Sequence, residues 1–307
     1  MRFLLRASAA AVAVCVALIF IVGTAKFLKR AWSHGNKMGA DHVAVVDLRG
    51  MILSSTEFIK DLKDLTKDSS VKAIVVRINS PGGLVAPSQE MYQAIREADK
   101  KVPVLAAIGS LGASGGYYSA LGAREIFADP GSFTVSIGVI MEFVNTERLY
   151  EWAKVQRFDI KSGKLKDAGS PFRPMTEAEH QFFQAIIDDV ADQFKTTVKE
   201  RRKVGDDIIA QYADGRVMTG RQALGVKLID KLGSFEDALL EAKKLGKLKD
   251  DAPVSYPEPK GGLLKQVLVG DDEESKTFFD AISLFTNRLS AALPAPGWHV
   301  MLLAPIN

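Results

Sequence analysis

The chain has 307 residues, 47% of them hydrophobic, so it can bury a full core as one large domain or two small ones. Its 40 Lys and Arg nearly balance 37 Asp and Glu, for a formal charge of +3, and no basic patch interleaved with aromatics breaks that balance. This excludes nucleic acid as an expected partner. Cys15 is the one cysteine, which excludes an intrachain disulfide and a cysteine-built metal site.

The run from Ala7 to Ala25 carries no charge and is flanked by Arg2 and Arg6 before it and by Lys26, Lys29 and Arg30 after it. If helical it is long enough to span a bilayer, and we expect an N-terminal membrane anchor over residues 1–30. A cleaved secretory signal is the competing expectation, because Gly23-Thr24-Ala25 supplies the small residues a signal peptidase needs. Positive charge on both flanks leaves the orientation open.

A polar linker over 31–41 leads to a buried strand from His42, closed by Gly50. Helical spacing follows over 58–65, a strand over 73–79, an amphipathic helix over 88–100 ended by Pro103, and a strand over 104–108. A helix over 114–121 and strands over 125–128 and 133–141 come next. This alternation predicts an α/β fold, a parallel sheet covered by helices. A helix is predicted over 149–155, and the longest over 176–203, opened by Thr176-Glu-Ala-Glu179, which matches a capping box. Short helices over 206–212 and 220–224, a helix over 235–245 and a last strand over 254–256 complete a domain of residues 42–250. Residues 251–307 read as a looser tail with an amphipathic stretch over 278–293.

Two glycine-rich segments carry candidate chemistry. Asn79-Ser80-Pro81-Gly82-Gly83 follows a strand, and its glycines would let a turn aim backbone N–H groups into a cleft; an ordinary strand-to-helix turn has the same composition. Gly109-Ser-Leu-Gly-Ala-Ser114-Gly-Gly-Tyr-Tyr118 places Ser114 where a strand gives way to a helix, with the Gly115 amide beside it. Ser114 is therefore a candidate nucleophile, and equally a candidate helix N-cap. A nucleophilic serine needs a base, and none of the four histidines (His34, His42, His180, His299) carries a local signature of one. A desolvated lysine can serve instead, and Lys161-Ser-Gly-Lys164-Leu-Lys166-Asp167 offers three, although such clusters are commonly solvated.

Taken with Thr134-Val-Ser136-Ile-Gly-Val139 and Asp214-Gly-Arg-Val-Met-Thr-Gly-Arg-Gln-Ala223, these segments resemble the signal peptide peptidase family in its short, single-domain form, over roughly Val43 to Leu245. The resemblance implies a fold similar to the caseinolytic peptidase and crotonase folds, built from repeated β-β-α units, and a Ser-Lys serine peptidase. Ser114 matches the nucleophile, Lys166 the general base, Gly83 and Gly115 the oxyanion-hole amides, and Ser136 the serine that helps orient the lysine. It also implies that no metal or organic cofactor is required, that remnant signal peptides and other membrane-associated peptides are the substrates, and that the chain forms a homo-oligomer in which nucleophile and lysine come from neighbouring subunits. The anchor and the resemblance together place the protein in the bacterial inner membrane, single-pass, with the catalytic domain on the extracytoplasmic side.

Three rivals remain. A histidine-dependent caseinolytic-type peptidase lacks its histidine between Ser114 and Glu179, and a crotonase-type acyl-CoA enzyme has no use for the apolar N-terminal run. A catalytically silent membrane scaffold would not need Ser114 and Lys166 together. The apolar segment from Pro294 to Asn307 lies beyond the shared core and could form a membrane-surface contact, an oligomer contact or a site of self-cleavage.

Overall fold

The computed structural model describes residues 39–256 and the backbone of 301–303. The expected anchor, most of the linker and most of the tail lie outside the described residues. Among the described residues, no helix is long and apolar enough to cross a membrane.

The centre of the molecule is a sheet whose inner strands are β1 (His42–Ile52), β2 (Val71–Leu84) and β3 (Val104–Ala113), all parallel, with β2 in the middle. Alternate residues of these strands point to opposite faces, and both sets are apolar and buried. Ala44, Val46, Ile74 and Val76 pack into one core, while Val43, Val45, Ala73, Val75, Leu105 and Ala107 pack into the other. Burial on both faces explains why the strands read as continuous apolar runs.

The first core is covered by helices α1 (Thr56–Leu65), α2 (Val85–Asp99) and α3 (Gly115–Ala120), through side chains such as Phe58, Leu62, Ile95 and Tyr117. Beyond β3 the sheet forks. Its first half pairs with β4 (Glu125–Ala128) and its second half with β5 (Phe133–Val135), both parallel. Helix α4 (Glu147–Trp152) buries none of its residues. The long α5 (Glu177–Arg202) opens on the expected capping box, in which the Thr176 side chain accepts from the Glu179 amide and Glu179 accepts from that of Thr176. It reaches the first core through Phe194 and Val198, with the Phe194 ring 4.8 Å from that of Tyr118.

After α6 (Asp206–Tyr212), strand β6 (Val217–Thr219) runs antiparallel to β5. Helix α7 (Gly220–Gly225) and strand β7 (Lys231–Leu232), parallel to β4, follow. Helix α8 (Phe235–Leu245) then covers the second core with Ala238, Leu239 and Ala242, and β8 (Val254–Ser255) lies beside β1. The last described element, β9 (Met301–Leu303), pairs antiparallel with the end of β2.

The mixed α/β class is as expected, and the departures are local. The Ser80-Pro-Gly-Gly83 segment is not a turn. It continues β2 to Leu84, because Gly82 and Gly83 pair with Met51 and Ile52 across a register irregularity in β1. Helix α2 accordingly starts at Val85 rather than Ser88. The strand expected over 133–141 stops at Val135, where Val135 and Ser136 take positive φ (74° and 54°) and the extended backbone ends.

Candidate active site

Two strand ends meet to form the site. On β2, Ser80 Oγ donates to the Gly50 carbonyl (2.6 Å) and accepts from the Gly82 amide (3.1 Å), which fixes the backbone where Gly82 turns to φ +100°. That conformation is open to glycine and strained for other residues. A Cβ on Gly83 would collide with the Ile52 backbone. Opposite, at the start of α3, a Cβ on Gly115 would lie 3.2 Å from the Gly83 nitrogen and closer still to Ser88 Oγ. A Cβ on Gly116 would lie 2.9 Å from the Ser80 carbonyl. The glycines therefore let two backbones approach more closely than side chains would permit, and they bring Gly83 and Gly115 together.

Ser114 precedes α3 at φ 52°, ψ −118°, outside the usual regions for an L residue. Val135 and Ser136, also at positive φ, are its neighbours: the Ser114 amide donates to the Val135 carbonyl (2.7 Å). Each such conformation costs on the order of 1–3 kcal/mol, and strain of this kind persists where the surroundings over-determine it. The Ser114 hydroxyl is fully buried and has no hydrogen-bond partner among the described residues. It occupies the N-cap position without capping the helix. An unsatisfied buried hydroxyl costs about 1–3 kcal/mol more, so structural convenience does not explain the side chain.

Helix α3 is pinned from behind. The Tyr117 hydroxyl, whose pKa is raised by burial, donates to the Leu228 carbonyl (2.6 Å). Arg201 donates to the carbonyls of Leu121 (2.7 Å) and Ala123 (3.1 Å) just past the end of the helix.

Ser136 is buried beside this cluster, and its hydroxyl donates to the Gly215 carbonyl (2.9 Å). With its proton committed there, its lone pairs are left to accept from an ammonium or amine.

The three candidate lysines separate. Lys161 is tied to Asp167 in an ion pair. Lys166 is exposed, on a turn where its amide donates to the Gly163 carbonyl (3.1 Å), and its Nζ has no partner among the described residues. Lys164 is likewise exposed. Among the described residues, then, no lysine is brought to the Ser114 hydroxyl.

The turn carrying Lys166 is anchored through its neighbour. Arg173 donates to Asp167 Oδ2 (2.9 Å) and to the Asp167 carbonyl (3.2 Å), and also to Glu179 Oε2 (2.8 Å) in the capping box of α5. The Lys161 and Arg173 hydrogen bonds hold the Asp167 carboxyl down to about 2, and Arg173 with the Thr176 amide holds that of Glu179 at about 2. Arg173 carried no signal of its own in the sequence, although both partners lie six residues away on either side. The closeness of Ser88 to Gly115 was likewise invisible, since it depends on where α2 meets α3.

Strand β9 lies along the same place. Its register sets Leu303 opposite Gly82, Leu302 opposite Gly83 and Met301 opposite Leu84.

A family model described as Peptidase family S49 matches residues 96–249. The chain is 38% identical over 248 residues to a protein of Synechocystis sp. described as a protease, covering 79% of this chain and 88% of that one. It is 35% identical over 207 residues to an Enterococcus faecium protein described as the signal peptide peptidase SppA, covering 67% and 60% of the two chains. With Protease 4 of Salmonella typhi it shares 33% identity over 266 residues, which is 83% of this chain and 41% of that longer one. The mixed sheet with its flanking helices fits the caseinolytic-peptidase-like fold of that family. The chain belongs to peptidase family S49, the signal peptide peptidase family, and is a serine peptidase.

Proposed function

We propose that this chain is a membrane-anchored serine endopeptidase that cleaves remnant signal peptides and other membrane-associated peptides with a Ser114–Lys166 dyad. The observation that carries the reading is the Ser114 hydroxyl: strained, buried, unpartnered, and followed by a glycine packed against a second glycine amide. The deprotonated Lys166 amine takes the Ser114 proton as the alkoxide adds to the peptide carbonyl. The amides of Gly83 and Gly115 donate to the oxyanion of the tetrahedral intermediate. Lysine returns the proton to the leaving amine, which departs and leaves an acyl-enzyme. Water, deprotonated by the same lysine, then hydrolyses the ester and regenerates Ser114. Ser136 accepts a hydrogen bond from the lysine and holds its amine in line.

The lysine comes from a second copy of the chain. Lys166 is exposed and the Ser114 hydroxyl has no partner among the described residues, and the segment leading to Lys166 carries Trp152 (80% exposed), Phe158 (87%) and the fully exposed Ile160. Apolar side chains concentrated in this way fit burial against another subunit. Such burial would also supply the desolvation that a lysine base requires. The N-terminal apolar run anchors the oligomer in the bacterial inner membrane, with the catalytic domain on the extracytoplasmic side.

The test is hydrolysis of an apolar, signal-peptide-like substrate by the full chain, compared with Ser114→Ala and Lys166→Ala. Loss of nearly all turnover in both folded variants supports the dyad. Full activity in Lys166→Ala means that another group is the base.

A further inference from the structure

We infer that Ser88 is a positioning residue of the active site: its hydroxyl sets how closely the first turn of α3 approaches α2, and so holds the Gly115 amide in place beside that of Gly83. This rests on the proposed oxyanion hole, since the spacing of those two amides is what Ser88 controls.

Ser88 interrupts a buried face of α2 made otherwise of Met91, Tyr92, Ile95 and Ala98. It is itself fully buried, and its hydroxyl donates to the Leu84 carbonyl one turn back (2.8 Å). A bond of that kind does little for a helix, and alanine is the better helix former, so helix stability does not account for a serine at this position. What the bond does is fix the direction of the oxygen.

That oxygen stands against Gly115. A Cβ on Gly115 would collide with Ser88 Oγ, and the same point lies 3.2 Å from the Gly83 nitrogen and 3.3 Å from Gly82 Cα. Gly115 is therefore seated in a corner with two walls, one the Gly82–Gly83 backbone and the other the Ser88 hydroxyl. Between the helices, Ser119 Oγ donates to the Gly115 carbonyl (2.9 Å) and reaches the Ser88 carbonyl (3.5 Å). Past the far end of α3 a Cβ on Gly122 would lie 2.5 Å from the Tyr92 carbonyl, so the backbones are already in contact there. Without the Ser88 oxygen one wall of the corner is gone, and α3 can tilt about the Gly122 contact until its first turn settles towards α2. A misplacement of about 1 Å in a catalytic group costs on the order of 10²-fold in rate, so a tilt of about half that should cost about tenfold.

The test is Ser88→Ala in the full chain, which removes only the oxygen and should fold as the wild type does. Crystal structures of the two proteins give the separation of the Gly83 and Gly115 nitrogens. Hydrolysis of a short apolar chromogenic peptide gives kcat and KM, and inhibition by an apolar peptide boronic acid, whose tetrahedral adduct with Ser114 presents an oxygen where the oxyanion forms, reads the amides directly. We expect the separation to change by about 0.5 Å, kcat to fall about tenfold with KM within about twofold, and the boronic acid to lose affinity by the same factor as kcat, the pattern of an interaction made in the transition state alone. An unchanged separation, an unchanged kcat, or a loss confined to KM overturns the inference. If no protein, wild type included, cleaves the peptide or binds the boronic acid, the peptidase reading fails, and the separation of the two nitrogens alone decides whether Ser88 sets it.

Discussion

Gly115 stands close to Gly83: a Cβ on Gly115 would lie 3.2 Å from the Gly83 nitrogen, tighter than an ordinary van der Waals contact. It would meet Ser88 Oγ as well, and these two obstacles differ in kind. The serine hydroxyl can be removed, whereas the Gly83 backbone is held by Ile52. Gly115→Ala should therefore lower kcat by about 10²-fold, the scale of losing one oxyanion donor. Adding Ser88→Ala should restore thermal stability but not turnover. Recovery of both would mean that the approach to Gly83 is unimportant.

Ser136 offers a way to separate backbone from side chain. At φ 54° the residue is strained, and glycine adopts that conformation freely. Ser136→Gly should hold or raise the unfolding temperature while lowering kcat by about tenfold or more, because the hydroxyl proposed to orient the lysine is gone. A variant that is stable and fully active would remove Ser136 from the mechanism.

Arg173 joins the turn of Lys166 to the start of α5 through Asp167 and Glu179. Arg173→Ala leaves the Glu179 carboxylate, only 4% exposed, without its main counter-charge, and should destabilise the chain by about 1–3 kcal/mol. It should also cost turnover beyond that loss, since the turn is then free to wander. Arg173→Lys, which cannot make the forked contact, should recover part of the stability and less of the activity. Thermal unfolding and kcat measured well below the unfolding temperature separate the two effects.

The same cluster sets an acid limit. The carboxyls of Asp167 and Glu179 sit at about 2 in the folded chain, against 3.8 and 4.5 unperturbed. A folded pKa below the unfolded one means that these groups contribute stability above the unfolded values and lose it as pH falls towards 2. Thermal midpoints measured from pH 6 down to pH 2 should drop through this window in the wild type and fall less steeply in Arg173→Ala. Equal slopes would place the acid sensitivity elsewhere.

The sequence was most legible where local chemistry decides the structure. Helices α5, α6 and α8 have capping or acidic first turns and clear periodicity, and their observed limits match the expected ones within a residue. The Ser-Pro-Gly-Gly segment misled because its composition is that of a turn, whereas pairing with Met51 and Ile52 keeps it extended. Strand β5 was overdrawn because nothing in Val135 and Ser136 announces a positive φ, which is imposed by the packing around Ser114. Ser114 could be singled out by its glycine neighbours, but its freedom from capping could not. Spacing alone did not distinguish Lys166 from Lys161. In the structure the two differ in that Asp167 pairs with Lys161, while the Lys166 amine has no partner among the described residues.

The central claim is that Ser114 of one copy works with Lys166 of another, and mixing tests it most directly. Purified Ser114→Ala and Lys166→Ala chains, each inactive alone, are combined under conditions that exchange subunits, and hydrolysis of the apolar peptide is followed. Partial recovery of activity is the predicted result, because a site pairing the intact Ser114 of one variant with the intact Lys166 of the other is complete. Mixed oligomers that form and stay inactive would contradict a dyad shared between copies.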